Sequence, residues 1–505
     1  MKKNLFSLPR IYNLGMNYAM GAAVLFLPLT SLPALSVLMG GTMVAPPTIV
    51  FIFILFIGWL PAYLLRGGKF PGEMGPFFVF VVLALMASAA AFVINFPSFR
   101  GSAIQNAEAS AVLTLAVGSA TYVIVSIWNQ ESGRLVRTLR LINISGVILL
   151  AWSLLQLAQI LLNSGDYPDR MVQIQSLLST RSLLDFGFRG RVGGFAFEPS
   201  WQAHLLNMVY LPYWLAATVT GYSVSKKLWR LSAENILLVS GIIILYFTVS
   251  RIGLLALLVA FAFLFYRLNT QFIKWFQKRL QRRSSSIRLQ LDKLIPALSI
   301  LVVLLAYLAA VAGLLFLWSR FDHRIANLLS LREIPSSLLE FAFSVNFGER
   351  VVYWSIGWSV FARYPLLGVG LGNTGFFFQH YLPSIAYRSP EIINLLDQAM
   401  VIPNVKSFWI RLLSETGLVG FSVFAAWQIV LWRAGAFLRA KRFMFFRTLG
   451  WMGAFAILAF ICEGFSIDSF ALPYLWVAMG LLTAASALAR REANEPIGDH
   501  LVQTQ

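Results

Sequence analysis

The chain is 505 residues long, 58% hydrophobic and only 12% charged, with a formal net charge of +19. Soluble globular domains carry about 25% charged residues, so this composition excludes an ordinary soluble enzyme and a disordered chain alike. One cysteine, Cys462, excludes a disulfide framework and a thiolate metal cluster, and the four histidines (His204, His323, His380 and His500) show no paired spacing, so no protein-held metal is expected. The positive charge would suggest nucleic acid in a soluble protein; here it is expected in loops flanking a membrane, with no nucleic acid as partner.

Apolar runs near 20 residues recur from one end to the other, which predicts an all-α polytopic membrane bundle. Twelve spans are expected, near Met20–Met39, Pro47–Leu65, Pro76–Ile94, Glu108–Ser126, Leu141–Leu162, Ser200–Gly221, Glu234–Val249, Ile252–Tyr266, Leu294–Trp318, Phe408–Leu431, Thr448–Gly464 and Phe470–Leu488. Met1–Arg10 holds two lysines and no cleavage-site pattern, so the first span is expected to be retained and not removed as a signal peptide.

With the N-terminus inside, the alternate loops collect Lys2, Lys3, Arg10; Arg66, Lys69; Arg134, Arg137, Arg140; Lys226, Lys227, Arg230; the run from Arg267 to Lys293; Arg433 to Arg447; and Arg490, Arg491. Every inside loop is basic, so both termini are expected inside. The basic run Lys274–Lys293 is expected to obey this rule, with binding of anionic lipid headgroups as the alternative. The chain then divides into N-terminal spans (1–162), an outer loop (163–199), central spans (200–318), one large outer loop carrying amphipathic helices (319–407), C-terminal spans (408–489) and a polar tail (490–505).

Basic residues left on the outer side are arginines except for Lys406. Arg170, Arg181, Arg189 and Arg191 lie in the first outer loop; Arg320, Arg324, Arg332, Arg350, Arg363, Arg388 and Lys406 lie in the second. Guanidinium forks suit phosphate and carboxylate oxygens. Solvated charge on long loops, which are exempt from the inside rule, is the alternative.

Five features stand out in these regions. Glu198 precedes Pro199 at the start of a span, where it is either a charge complementing the helix dipole or a carboxylate suited to general base work. Arg251 separates two apolar runs with almost no loop, and an ionisable group there faces a polar cavity or snorkels to the surface. Glu349–Arg363 is expected to form an amphipathic helix at the membrane interface or a core helix of the loop. Pro365–Gly375 has the spacing of a dinucleotide fingerprint without the surrounding strand and helix, so it reads as an anion-cradling turn or a tight turn returning the chain to the bilayer. Arg411 and Glu415 stand four residues apart, as an ion pair within one helix would.

Four stretches together resemble the O-antigen polymerase and O-antigen ligase superfamily: GRVGGFAFEPS at Gly190–Ser200, TVSRIG at Thr248–Gly253, ERVVYWSIGWSVFARYPLLGVGLGN at Glu349–Asn373 and KSFWIRLLSETGLVG at Lys406–Gly420. The resemblance implies an enzyme of the bacterial inner membrane with cytoplasmic termini. It implies a metal-free and cofactor-free transfer of glycan from undecaprenyl pyrophosphate to another lipid-linked repeat unit (a polymerase of O-antigen, capsule or exopolysaccharide) or to lipid A-core (a ligase). It implies as partners the lipid-linked oligosaccharide, membrane lipids, a chain-length regulator and a flippase. The family's arginines fall on Arg251 and Arg350. Its histidine position is taken by Lys406, followed by Ser407 where Asn is common, which counts against the ligase.

The chemistry implied is stabilisation of a pyrophosphate leaving group by fixed cations. Arg251, Arg350 and Lys406 are assigned to it, with Arg191, Arg324 and Arg411 as further substrate-binding candidates. Glu198 is assigned as the proton acceptor and Glu415 as structural. A lipid-linked glycan transporter is the alternative of a different class, although no internal repeat of the kind secondary carriers show is visible.

Overall fold

The computed structural model describes residues 10–94, 96–97, 103–163, 166–187, 190–225, 231–281, 338–344, 347–398 and 402–494, with isolated positions from 305 to 320. They fall into two compact units, Met1–Ala256 with Ile356–Tyr381 and Met400–Gln505, and Leu257–Ser355 with Leu382–Ala399. Among the described residues there is no β-strand; a lone bridge pairs Ser31 with Ala45.

The helices, in chain order, are α1 (Arg10–Leu25), α2 (Pro33–Leu38), α3 (Thr48–Leu65), α4 (Gly72–Ala91), α5 (Ile104–Trp128), α6 (Ser132–Asn163), α7 (Asp169–Leu178), α8 (199–220), α9 (Ala233–Phe247), α10 (Arg251–Gln281), α11 (Leu338–Ser344), α12 (Gly348–Arg363), α13 (Pro390–Gln398), α14 (Phe408–Arg439), α15 (Met444–Glu463) and α16 (Pro473–Asn494). Seven of the described helices are long and apolar enough to cross a membrane: α3, α4, α5, α6, the 251–270 part of α10, α14 and α15. Helices also cover the expected spans at 200–221, 234–249 and 470–488, as α8, α9 and α16. Leu294–Trp318 lies almost wholly outside the described residues, as do residues 282–293, Arg189, Arg324, Arg332 and the tail from 495.

One span departs from expectation. Met20–Met39 is not a single helix: α1 ends at Leu25 and α2 begins at Pro33. Pro28 and Pro33 lack the amide that a continuous helix needs, and Pro33 sits instead in the first turn of α2, where that amide has no partner to lose. Prolines also explain two π segments. Leu55–Trp59 precedes Pro61 in α3, and Leu206–Tyr210 precedes Pro212 in α8; widening the turn relieves the missing bond and the ring's clash.

The larger unit is built around α5, α14, α15 and α16. α16 packs along α5 and α15, and α14 packs on α4 and α15. At the centre Phe77, Tyr122, Trp427 and Trp476 are fully buried. Their ring centroids lie 4.8 Å (Phe77–Tyr122), 5.1 Å (Tyr122–Trp427) and 6.0 Å (Trp427–Trp476) apart. Trp427 Nε1 donates to Tyr122 Oη at 3.2 Å, and Tyr122 shares a 2.9 Å bond with Thr483. Lipid tails are as apolar as these rings, so close packing and such bonds hold the helices together. The approach of α5 to α16 depends on Gly118, where a Cβ would lie 2.5 Å from the Trp476 indole and 2.7 Å from Phe470 O.

The smaller unit is tied by side chains from α12. Tyr353 Oη donates to Glu391 at 3.1 Å, and Ser389 Oγ donates to Glu349 at 3.1 Å. Burial, reinforced by the Glu391 and Glu349 carboxylates, pushes the Tyr353 phenol well above its ordinary pKa, so it remains a donor.

Gly118→Val is expected to destabilise the protein by about 1–3 kcal/mol through overpacking. Gly133→Ala, whose Cβ would meet nothing within 4 Å, is the control. Thermal unfolding of the purified protein in detergent checks the pair: a lower midpoint for Gly118→Val alone.

Candidate functional site

The loop at 190–198 is held from several sides. Val192 N donates to Phe247 O at 2.9 Å and Arg191 Nε to Thr248 O at 3.0 Å, which fastens the loop to the end of α9. Gln156 of α6 grips Gly194 twice, Nε2 to its carbonyl at 2.9 Å and Oε1 from its amide at 2.8 Å. Phe197 N donates to Thr30 Oγ1 at 2.8 Å, and Phe195 stacks on Trp152 at 5.6 Å. Glu198 then enters α8 with Pro199 in the first turn. Its carboxylate is half-buried and accepts from Ser200 Oγ at 3.0 Å; it does not cap the helix amides.

The turn between α9 and α10 is strained. Val249 has φ of +52°, in the left-handed region that a β-branched residue rarely enters. Thr248 Oγ1 accepts from Ser250 N at 3.3 Å and Ser250 Oγ from Gly253 N at 3.3 Å, so hydroxyls take up amides the turn exposes. Arg251 is thereby the first residue of α10, half-buried.

Lys406 is the other described non-glycine residue at positive φ, +48°. Its amide donates to Asn404 Oδ1 at 3.0 Å, and Ser407 caps α14 by accepting from Ile410 N. Ser407 Oγ donates to Gly464 O at 3.3 Å and Phe408 N to the same oxygen at 2.7 Å. Strain at two half-buried cation-bearing turns is the pattern that functional sites show.

Beneath these turns lies a cluster that sequence reasoning missed. Glu463, at the end of α15 and fully buried, accepts from Asn207 Nδ2 at 2.6 Å and is bonded to His204 Nδ1 at 2.7 Å. Asn207 also donates to Gly253 O at 2.8 Å. Thus the 190–198 loop, the 248–253 turn, the 404–408 segment and the end of α15 are joined by one set of hydrogen bonds. The signal available in sequence is three polar residues inside apolar runs (His204, Asn207 and Glu463), which are costly unless paired.

Arg411 is committed elsewhere. Its Nε lies 3.0 Å from both Glu415 oxygens, Nη1 donates to Asp468 O, and the guanidinium stands 5.4 Å from the Phe470 ring centre. The within-helix ion pair read from the spacing is therefore present, and buried. Arg350 lies in the first turn of α12, half-buried, in the smaller unit. α12 buries Val352, Tyr353, Ile356 and Val360 and leaves Trp358 55% exposed.

The glycine stretch at 365–375 fills a break in α14. Gly417 has φ of +64° inside that helix. Leu418 N and Val419 N, which would bond Ser414 O and Glu415 O, donate instead to Pro365 O (2.8 Å) and Leu366 O (3.2 Å). Ser414 O and Glu415 O accept in return from Val369 N and Gly370 N, both at 2.9 Å. Leu371 N donates to Ser88 Oγ at 3.0 Å, and Gly372 N bonds the Glu415 carboxylate. With these amides engaged inside the protein, the tight-turn reading holds over the anion cradle. A break in a helix is tolerated where other backbone groups take up the freed amides and carbonyls in this way.

These apolar helices, with a polar cluster at the ends of four of them, define a polytopic membrane protein. Residues 236–425 match the family model described as O-antigen ligase, and the resemblance to the O-antigen polymerase and ligase superfamily is borne out over that segment. It contains Arg251, Arg350, Lys406 and Arg411, and begins after Arg191 and Glu198. No curated protein matches the chain.

Gly417→Ala is expected to destabilise the protein by more than the ~1–2 kcal/mol of a left-handed residue, because its Cβ would strike Leu366 O and part the exchanged backbone bonds. Chemical unfolding in mixed micelles measures this.

Proposed function

We propose that the protein is a polysaccharide polymerase that transfers a glycan from a polyprenyl pyrophosphate to the acceptor sugar of a second lipid-linked repeat unit at the outer face of the membrane. The observation that carries this reading is the hydrogen-bonded meeting of the 190–198 loop, the Arg251 turn and the Lys406 turn, two of them within the segment that matches the O-antigen ligase family. The basic loops on the opposite side support the orientation.

The bond from the anomeric carbon to the pyrophosphate oxygen breaks as the acceptor hydroxyl oxygen bonds to that carbon. Negative charge develops on the leaving group, and Arg251, Arg350 and Lys406 stabilise it; charges fixed in place cost no reorganisation when the bond breaks. Glu198 takes the acceptor's proton. Arg191, which binds Thr248 O, lies against the Arg251 turn and contacts substrate; Arg411 serves the fold through Glu415. Arg324 is proposed to bind substrate from the outer loop. A chain-length regulator and a flippase are the proposed partners.

The family description favours a second reading, ligation to lipid A-core. Lys406 at the family's histidine position favours polymerisation. Deleting the gene separates them: loss of long chains with single repeats still on lipid A marks a polymerase, whereas unattached polymer marks a ligase.

In an assay with lipid-linked repeat units, Arg251→Ala, Arg350→Ala and Lys406→Ala are each expected to slow chain lengthening about 10²–10³-fold at normal protein levels. Glu198→Gln is expected to slow it about 10²-fold or more, the usual share of a general base. Unchanged lengthening by Arg251→Ala and Arg350→Ala would overturn the assignment.

A further inference from the structure

We propose that Glu463 is a positioning residue for this transfer, holding the Arg251 and Lys406 turns in register; the inference rests on the function proposed above. Glu463 is 0% exposed, His204 1% and Asn207 2%, so none of the three reaches substrate. Asn207 reaches the Arg251 turn directly, and the residue after Glu463 reaches the Lys406 segment.

A carboxylate is an acceptor only, and Glu463 takes Asn207 on Oε1 and His204 on Oε2. Both come from α8, within two to three turns of Glu198. Asn207 divides its amide protons between Glu463 and Gly253 O, two residues beyond Arg251. The next residue, Gly464, offers the carbonyl that anchors Ser407 and Phe408, directly after Lys406. Asn207 also lies in the π segment of α8, a backbone irregularity often found at functional sites. Removing the carboxylate frees Asn207 from α15, leaves His204 without its partner, and loosens the Gly464 anchor. Two cations carried on strained turns then lose the contacts that fix them.

The experiment uses the full chain in detergent or nanodiscs with polyprenyl-pyrophosphate-linked repeat units. Glu463→Ala is expected to lower kcat about 10²-fold, the cost of displacing reacting groups by about 1 Å, with KM little changed. Glu463→Gln is expected to recover most of that loss, because its amide oxygen still accepts from Asn207 and its NH₂ can donate to the acceptor tautomer of His204. Asn207→Ala, which leaves the Glu463–His204 bond intact, is expected to lower kcat in the same manner. Glu463→Ala combined with Lys406→Ala is expected to lose less than the product of the two single losses, since the part of the Glu463 effect that acts through Lys406 is already spent.

Wild-type kcat in Glu463→Ala, Glu463→Gln as slow as Glu463→Ala, or full additivity with Lys406→Ala would overturn the proposal. A second readout is independent of activity. Cys462, the single cysteine, adjoins Glu463 and is half-buried. Its alkylation by N-ethylmaleimide, read by mass, is expected to quicken severalfold more in Glu463→Ala than in Glu463→Gln, which removes the same charge but keeps the hydrogen bonds. If the wild-type protein lengthens no glycan, the functional reading fails by itself; equal alkylation rates in Glu463→Ala and Glu463→Gln would still overturn the positioning role.

Discussion

A carboxylate sealed from solvent has to be satisfied by the chain that buries it. Glu463 meets that demand with an imidazole and an amide from α8. Because the same amide holds α10, and the neighbouring carbonyl holds α14, the bonds around this one side chain meet at the ends of four helices. The half-buried cations Arg251 and Lys406 are placed by these bonds. So is the loop that carries Glu198, through α8 below it and through Arg191 and Val192 beside it.

Much of this architecture is legible in the sequence where the interactions are local. Apolar length locates α3 to α6, α8 to α10 and α14 to α16, because a bilayer demands such length from each helix, although α6, α10 and α14 each run well past the expected bound at one end, where charged residues extend them. The Arg411–Glu415 pair follows from a spacing of four. Interactions between distant segments leave a weaker trace. His204 and Glu463 are 259 residues apart, and nothing in either neighbourhood names the other. Hydropathy makes the first span look continuous because its apolar run is unbroken; Pro28 and Pro33 decide otherwise, since hydropathy does not register a missing amide.

The family match and the site cover different parts of the chain. Residues 236–425 include both strained turns and their local hydroxyl and amide caps, yet the groups that tie the turns to other helices lie outside it: Arg191 and Val192 on one flank, Asn207 within α8, Glu463 and Gly464 on the other. The cations can thus be recognised by likeness while the scaffold that aims them is found only from geometry. The smaller unit has its own ties, Tyr353 to Glu391 and Ser389 to Glu349, which order α12 behind Arg350.

The exchange at Gly417 makes two distant stretches into a single backbone object. The carbonyls of Pro365 and Leu366 take the amides of Leu418 and Val419, while the carbonyls of Ser414 and Glu415 take those of Val369 and Gly370. Neither partner is complete alone, since each leaves backbone amides or carbonyls without the partners they have here. In any chimera of this protein, 365–370 and 414–419 therefore have to be transplanted together, as two halves of one graft.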